Sequence, residues 1–185
     1  MVSQLRVSRP DSGRSTDPRS VHFLHAIAGT IQVFTATHRS FFTNVMVQAL
    51  RAAGQGMPVL VVQFLKGGID QGPDQPMQLG PNLDWLRCDA PCCFQTETVD
   101  PQGAAGVQAL WQHTQAVVMD GQYTLVVLDE LSLAIQRGLV PEAAVVEFLQ
   151  NRPPQVDVIL TGPQMPDALL DMADQVTQFR RNFLP

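Results

Sequence analysis

Two adjacent carboxylates follow a strongly apolar run near the middle of the chain. The run Val126-Val127-Leu128 leads directly into Asp129 and Glu130. In nucleotide-binding enzymes, acids at the tip of a buried strand hold Mg²⁺ or polarise a water molecule. Asp129 and Glu130 are therefore candidate Mg²⁺ ligands. Alternatively, Asp129 caps a helix that begins at Glu130, because carboxylates are common at helix starts.

Two further segments place polar groups directly after apolar runs. Thr161 and Gly162 end such a run where a backbone can approach a ligand, although the pair is also typical of an ordinary strand-to-turn junction. The first apolar run ends at Thr35 and leads through residues 36–42 into a helical pattern that includes Thr43. A strand, a loop and a helix in this order are typical of a phosphate-binding loop. The composition does not match, because residues 36–42 include no glycine.

The elements that must position these groups are short apolar runs that alternate with helical patterns. The runs are rich in Val, Ile and Leu without polar alternation, as in strands covered on both faces. The predicted strands are Ile31–Thr35, Pro58–Phe64, Leu83–Leu86, Tyr123–Leu128 and Val156–Thr161. The predicted helices are Phe41–Ala53, Gln102–Met119, Glu130–Gln136, Glu142–Gln150 and Pro166–Met172. The alternation predicts an α/β fold with a mostly parallel sheet, whose ligands gather at the carboxyl ends of the strands.

Length and composition indicate one folded domain. The chain has 185 residues, of which 45% are hydrophobic and 16% charged, and this excludes a disordered or collagen-like protein. Residues 1–21 are rich in Ser, Arg, Pro and Asp and predict a flexible tail. Residues 22–185 predict a single domain, in which residues 67–81 form a long mobile loop or lid.

Charge and hydropathy restrict the class of partner. The net charge of −5 argues against duplex nucleic acid and favours a small ligand. No apolar stretch approaches the roughly 20 residues that span a bilayer, and no apolar signal core follows the N-terminal arginines. The three cysteines are odd in number and lack a CxxC spacing, which favours reduced thiols. We therefore expect a cytoplasmic protein without a membrane or nucleic-acid partner.

Four sequence blocks occur in the order and spacing of one known family. The blocks are Arg51–Gly67, Val126–Leu131, Leu160–Gly162 and Ala173–Thr177. Through them the chain resembles the ATP:corrinoid adenosyltransferases of the CobA/CobO/BtuR type over nearly its whole folded part. The resemblance implies a RecA-like P-loop NTPase fold, with helices on both faces of the sheet, and a homodimer. It also implies transfer of the 5′-deoxyadenosyl group from MgATP to a cobalt(I) corrinoid, with release of triphosphate.

The resemblance also implies roles for individual residues. Around the nucleotide it places Thr35, Arg39, Thr43, Lys66, Asp129, Glu130, Thr161 and Gly162. Among these, Asp129 and Glu130 would hold Mg²⁺ or its waters if nucleotide binds, and Phe94 would pack near the corrin. Lys66 is the single lysine of the chain, and it fits a phosphate contact and a solvated strand end equally well.

The chain departs from the family where triphosphate should bind. The family loop is glycine-rich and ends in Lys-Thr-Thr, whereas here Phe41 replaces the lysine and Phe42 replaces the Mg²⁺-binding hydroxyl. Pro163 replaces an arginine, and Thr96 replaces a tryptophan near the corrin. Lost phosphate contacts and the strain of non-glycine turns together cost about 5 kcal/mol, which weakens ATP binding by roughly several thousandfold.

These departures favour one of two functional hypotheses. In the first, Phe41 and Phe42 belong to a packed helix start that partly plugs the phosphate site, and the protein is a non-catalytic relative. It would then act by binding a corrinoid, a nucleotide or a protein partner. In the second, the protein is an active adenosyltransferase that holds triphosphate through Arg39. A nucleic-acid motor of the same fold would need an intact phosphate loop and a basic face, and the sequence has neither.

Overall fold

The architecture is a seven-stranded sheet between two layers of helices. The computed structural model describes residues 28–67, 71–88 and 100–180. Its strands are β1 Ile31–Ala36, β2 Val59–Gln63, β3 Met77–Gln78, β4 Leu83–Arg87, β5 Leu125–Asp129, β6 Asp157–Pro163 and β7 Gln175–Phe179. Its helices are α1 Thr43–Gly54, α2 Pro101–Met119, α3 Leu131–Gln136, α4 Glu142–Asn151 and α5 Asp167–Asp171. The α/β prediction is confirmed, and each predicted strand and helix is present with its ends shifted by at most two residues.

The strand order is β3-β4-β2-β5-β6-β1-β7, and every neighbouring pair except β3 and β4 is parallel. The carboxyl ends of the six parallel strands therefore meet at one edge of the sheet. The residues that follow these strands in sequence are brought together at that edge, although β1 ends at Ala36 and β7 ends at Phe179. Ligand sites of open α/β sheets lie at this edge.

Alternate residues of the central strands face two separate cores. Leu60 and Val62 of β2 pack in the larger core with side chains of α2, α3 and α4. Val59 and Val61 pack on the opposite face with the buried side of α1. Because both faces are covered, the strands have no polar alternation, as the sequence predicted. Helix α2 begins where Asp100 Oδ1 accepts a hydrogen bond from the Gly103 N–H at 2.9 Å, with Pro101 in the first turn.

Two strands were not predicted. The sequence of β7, Gln-Val-Thr-Gln-Phe, is mostly polar, because this strand lies at the end of the sheet and has exposed side chains. Strand β3 has only two residues and lies within the segment 67–81 that was predicted as a loop. The remaining described residues of that segment are turns, and residues 68–70 lie outside the described part of the chain. The predicted tail, residues 1–21, also lies outside it, and the single-domain assignment stays a prediction.

None of the helices described here combines the length and the apolar character needed to cross a membrane.

The single tyrosine of the chain makes a partly buried hydrogen bond through its phenol group. Tyr123 Oη donates to Asp84 Oδ2 at 2.6 Å. Burial, and secondarily the Asp84 carboxylate, raises the pKa of Tyr123 well above its ordinary value. Since the folded-state pKa is the higher one, this contribution to stability is complete below about pH 10 and is lost as the pH rises further.

We therefore expect alkaline titration to ionise Tyr123 only as the protein unfolds. Because no other tyrosine is present, the rise of tyrosinate absorbance near 295 nm comes from this side chain, and Tyr123→Phe gives the background of Trp85 and Trp111. The absorbance change should coincide with the loss of the circular dichroism signal, and Tyr123→Phe should lose less stability above about pH 10 than the natural chain. Ionisation with a midpoint near 10 in the folded protein would contradict the partly buried hydrogen bond.

Candidate functional site

Asp129 is the centre of a hydrogen-bonded network at the carboxyl edge of the sheet. The residue is 2% exposed and ends β5. Its Oδ1 accepts from Thr161 Oγ1 at 2.7 Å, and its Oδ2 accepts from Gln63 Nε2 at 2.8 Å and from Lys66 Nζ at 3.2 Å. The Lys66 ammonium thus neutralises the Asp129 carboxylate. The alternative that Asp129 caps a helix is wrong, because α3 starts after Glu130 without a side-chain cap.

Glu130 is held by both its backbone and its side chain. Its φ of 61° lies in the left-handed region, which is uncommon for a residue other than glycine. Its N–H donates to Thr161 Oγ1 at 3.0 Å, so that one hydroxyl connects Asp129 and Glu130. Its carboxylate accepts two hydrogen bonds from Arg39, from Nε at 2.5 Å and from Nη2 at 2.7 Å. This bidentate ion pair neutralises the second carboxylate of the site.

The loop after β1 carries Arg39 to Glu130 and places the two phenylalanines differently. Phe42 is 4% exposed and packs against Phe179, with ring centroids 5.4 Å apart. Phe41 is 54% exposed, and its ring lies 4.8 Å from Lys66 Nζ. The expectation that both rings pack at the helix start is therefore correct for Phe42 and wrong for Phe41. The Phe41 ring contacts the Lys66 ammonium through its face instead.

A cavity of about 690 Å³ opens between this loop and the end of β7. It is lined by Ala36, Thr37, His38, Arg39, Ser40, Phe41, Phe42, Thr43, Asn44, Phe179 and Arg180. Of the predicted nucleotide contacts, Arg39 and Thr43 border this cavity. Thr35 is a buried residue of β1.

Gly162 has a structural reason to be glycine. Its φ is 139°, and a Cβ at this position would lie 2.1 Å from Ser132 Oγ. Ser132 Oγ donates to the Pro163 carbonyl oxygen at 2.6 Å, so the hydroxyl occupies a fixed place. The close approach of α3 to β6 therefore accounts for the glycine without a ligand. Its predicted contact with nucleotide stays a prediction.

The part of the chain that forms the sheet and this network is similar to known proteins. Residues 28–182 match the family of ATP:corrinoid adenosyltransferases BtuR/CobO/CobP. The chain belongs to this family.

Individual relatives are similar over most of their length. The corrinoid adenosyltransferase of Escherichia coli strain K12 is 31% identical over 152 residues, which are 82% of this chain and 76% of that protein. The corrinoid adenosyltransferase CobA of Salmonella typhimurium is 32% identical over the same share of both chains. The enzyme of Pseudomonas aeruginosa is 30% identical over 151 residues. The P-loop type of α/β fold expected for corrinoid adenosyltransferases agrees with the sheet observed here.

Two residues of the network were missed by the sequence analysis. Gln63 ends β2 and is 1% exposed, and its Oε1 accepts from Arg87 Nε at 2.9 Å at the end of β4. The network therefore extends over the tips of four adjacent strands, from Arg87 through Gln63 and Asp129 to Thr161. A polar residue that ends an apolar run was the signal that identified Asp129. Gln63 lacks that signal, because Phe64 and Leu65 continue the apolar run after it and it lies inside the predicted strand. Phe94 and Thr96, expected near the corrin, lie outside the described residues.

Asp129, Glu130 and Thr161 carry the oxygen atoms that could hold Mg²⁺, the metal ion that the family resemblance implies. Two carboxylates and one hydroxyl are oxygen ligands of the kind that Mg²⁺ prefers. In this chain, however, Lys66 and Arg39 already pair with Asp129 and Glu130. Among the described residues, no three His, Cys, Asp or Glu side chains are grouped as a metal site. The residues as arranged here do not fit Mg²⁺ unless both ion pairs open.

Proposed function

We propose that this protein is a corrinoid adenosyltransferase relative that does not transfer adenosyl groups efficiently and acts by binding. Its ligand would be a corrinoid or a nucleotide, and a protein partner would be the alternative. The observation that supports this proposal is the bidentate ion pair between Arg39 and Glu130. The family resemblance implies that the Glu130 carboxylate serves a metal ion, and here a cation of the chain itself is paired with that carboxylate.

The two ion pairs oppose the binding of MgATP, because both must open before the carboxylates can hold Mg²⁺. The side chain of Glu130 is 6% exposed and that of Asp129 is 2% exposed. Departure of Arg39 or Lys66 would therefore leave a poorly hydrated carboxylate without its counter-charge. Arg39 is 36% exposed and Lys66 is 22% exposed, so solvent screens both ion pairs and opening either one costs about 1 kcal/mol. Together with the roughly 5 kcal/mol lost from phosphate contacts and non-glycine turns, this weakens MgATP binding by a factor of about a thousand or more.

Efficient transfer also requires that the triphosphate be positioned and its charge be neutralised in the transition state. The loop of residues 37–42 lacks the glycines that let backbone N–H groups converge on a phosphate. Neither Phe41 nor Phe42 can replace an ammonium or a hydroxyl. The lost groups are therefore those on which the chemical step depends, whereas the sheet that would support a corrinoid or a partner is retained.

An active enzyme with an atypical triphosphate site is the second candidate. The observation that favours it is the loop cavity, which is bordered by His38, Arg39 and Arg180. In that case Arg39 would have to leave Glu130 and turn to the triphosphate. We further expect a homodimer in the cytoplasm, as the family resemblance implies.

An assay of adenosyl transfer separates the two candidates. Purified full-length protein is given reduced cobalamin and MgATP under anaerobic conditions, with the Escherichia coli relative measured in parallel. We expect a rate at least about a thousandfold below that of the relative, since the lost interactions amount to more than 4 kcal/mol by the estimate above. A rate within tenfold of the relative would overturn the proposal.

Equilibrium titrations then identify the ligand. Corrinoid absorbs visible light and can be titrated without nucleotide, and MgATP can be titrated separately by calorimetry. Corrinoid binding without measurable MgATP binding supports a carrier or sensor. Binding of neither molecule supports a role that depends on a protein partner, whereas micromolar binding of MgATP contradicts the blocked site.

A further inference from the structure

Strand β7 forms an edge of the sheet that is open to pairing. Within the described part of the chain it pairs only with β1, so its outer backbone groups have no strand neighbour. It has no charged residue and no proline, and Val176 and Phe179 are 48% and 40% exposed. The opposite edge, β3, has two residues and directly follows Pro76. Proteins usually protect edge strands by shortness, charge or proline, and β7 has none of these.

The direction of the backbone groups of β7 follows from one hydrogen bond. The Asp174 N–H donates to the Ile31 carbonyl oxygen at 2.9 Å, so Asp174 faces β1. Because the direction alternates along a strand, Val176 and Gln178 also face β1, and the N–H and C=O groups of Gln175, Thr177 and Phe179 face outward. A second strand must therefore bring its own outward residues opposite these three.

An antiparallel copy of the same strand meets this requirement when Thr177 lies opposite Thr177. Gln175 then lies opposite Phe179, so that every outward residue meets an outward residue. In the same register Asp174 of one copy lies opposite Arg180 of the other, at both ends of the paired strands. A register centred on Val176 or Gln178 also matches the backbone groups, but it places Asp174 and Arg180 opposite uncharged or more distant residues. Charge complementarity therefore selects Thr177 as the centre.

We propose that two copies of this chain associate by antiparallel pairing of β7 about Thr177. The two seven-stranded sheets then form one continuous sheet across a two-fold axis. Val176 would be covered by Gln178 of the second copy, and Phe179 by its Gln175, on opposite faces. This pairing rests on the homodimer expected above, but it does not depend on whether the site turns over ATP.

The same pairing brings the second copy next to the loop cavity. Phe179 and Arg180 line that cavity and are the residues that would lie opposite Gln175 and Asp174 of the second copy. Association would thus extend one wall of the cavity with residues of the other copy. A ligand in the cavity would then strengthen association, because a site that is completed by two copies binds best when both are present.

Cysteine cross-linking tests the surface and its register together. In a chain with Cys92→Ser and Cys93→Ser, Thr177→Cys is compared with Gln175→Cys as a matched outward-facing control. Opposite residues of a hydrogen-bonded antiparallel pair have Cα atoms about 5.5 Å apart, which a disulfide can span, whereas the Gln175 positions of two copies would be about 13 Å apart. We expect a reducible covalent dimer from Thr177→Cys at more than about tenfold the yield from Gln175→Cys.

Sedimentation of the full chain tests the charges. Arg180→Glu should weaken dimerisation by about tenfold, since two ion pairs become two like-charge contacts. The double variant Asp174→Lys with Arg180→Glu should restore part of the loss, because the ion pairs are reversed while Asp174→Lys also removes the acceptor of the Ile31 N–H hydrogen bond of 2.7 Å. A chain that stays monomeric, or a dimer that cross-links equally through Gln175→Cys, would overturn the proposal. In the second case the dimer itself stands and only its surface is wrong.

Discussion

A chain in which the loop after β1 is rebuilt for phosphate is expected to bind MgATP at least about a hundredfold more tightly than the natural chain. The rebuilt loop has His38→Gly, Ser40→Gly, Phe41→Lys and Phe42→Thr. The glycines allow the backbone to turn around a phosphate, the lysine supplies a charge-assisted hydrogen bond, and the threonine supplies a metal ligand. Calorimetric titration with ATP, with and without Mg²⁺, measures the gain.

A second form of this variant, with Arg39→Ala added, separates the loop from the ion pair. While Arg39 holds Glu130, the new loop should raise affinity for ATP itself but add little for Mg²⁺. Once Arg39 is replaced, the affinity should become strongly dependent on Mg²⁺, because the Glu130 carboxylate then needs a counter-charge. Thermal unfolding must be followed in parallel, since loss of the buried Phe42 ring costs about 3 kcal/mol. If a folded variant has unchanged ATP affinity, the loop is not the limiting defect.

Replacement of Asp129 by alanine is expected to destabilise the protein by about 3 to 5 kcal/mol. The change leaves the buried Gln63 amide, the Thr161 hydroxyl and the Lys66 ammonium without their acceptor. The Gln63 amide and the Thr161 hydroxyl are buried, so each loses a hydrogen bond that water cannot fully replace. Urea unfolding of Asp129→Ala beside the natural chain measures the difference.

Asp120→Ala is a matched control for this loss. Asp120 is exposed at the end of α2, and its replacement should change the free energy of unfolding by less than about 0.5 kcal/mol. Whether Asp129→Ala lowers or raises the free energy of unfolding is informative about function. In enzymes that keep a site poised for a substrate, removal of a functional charge often stabilises the fold. A more stable Asp129→Ala chain would therefore indicate a carboxylate reserved for a ligand, and it would contradict the network described here.

The edge of the sheet at which the polar residues meet could be predicted from the sequence. Asp129 and Thr161 both end continuous apolar runs, and parallel strands end on the same side. Lys66 follows such a run as well, and the structure places it 3.2 Å from the carboxylate that the sequence analysis identified. These residues could be found because a buried strand with a polar last residue is a local signal.

The ion pair between Arg39 and Glu130 could not be predicted in the same way. The two residues are 91 positions apart, and their meeting depends on how the loop after β1 turns toward the tip of β5. No periodicity in the sequence encodes that turn. The opposite placement of Phe41 and Phe42 has a related cause, because both are apolar and only the start of α1 at Thr43 decides which one faces the core. Strand β7 was missed because edge strands need no apolar run.

The bidentate contact between Arg39 and Glu130 has a consequence for how this lineage can change. Loss of Arg39 alone would leave the Glu130 carboxylate, which is 6% exposed, without this counter-charge, so a stepwise change of the loop would pass through a less stable intermediate. Only simultaneous replacement of both residues avoids such an intermediate. Under the proposed function, this contact would make the return of a metal-dependent reaction in descendants of this chain require paired substitutions.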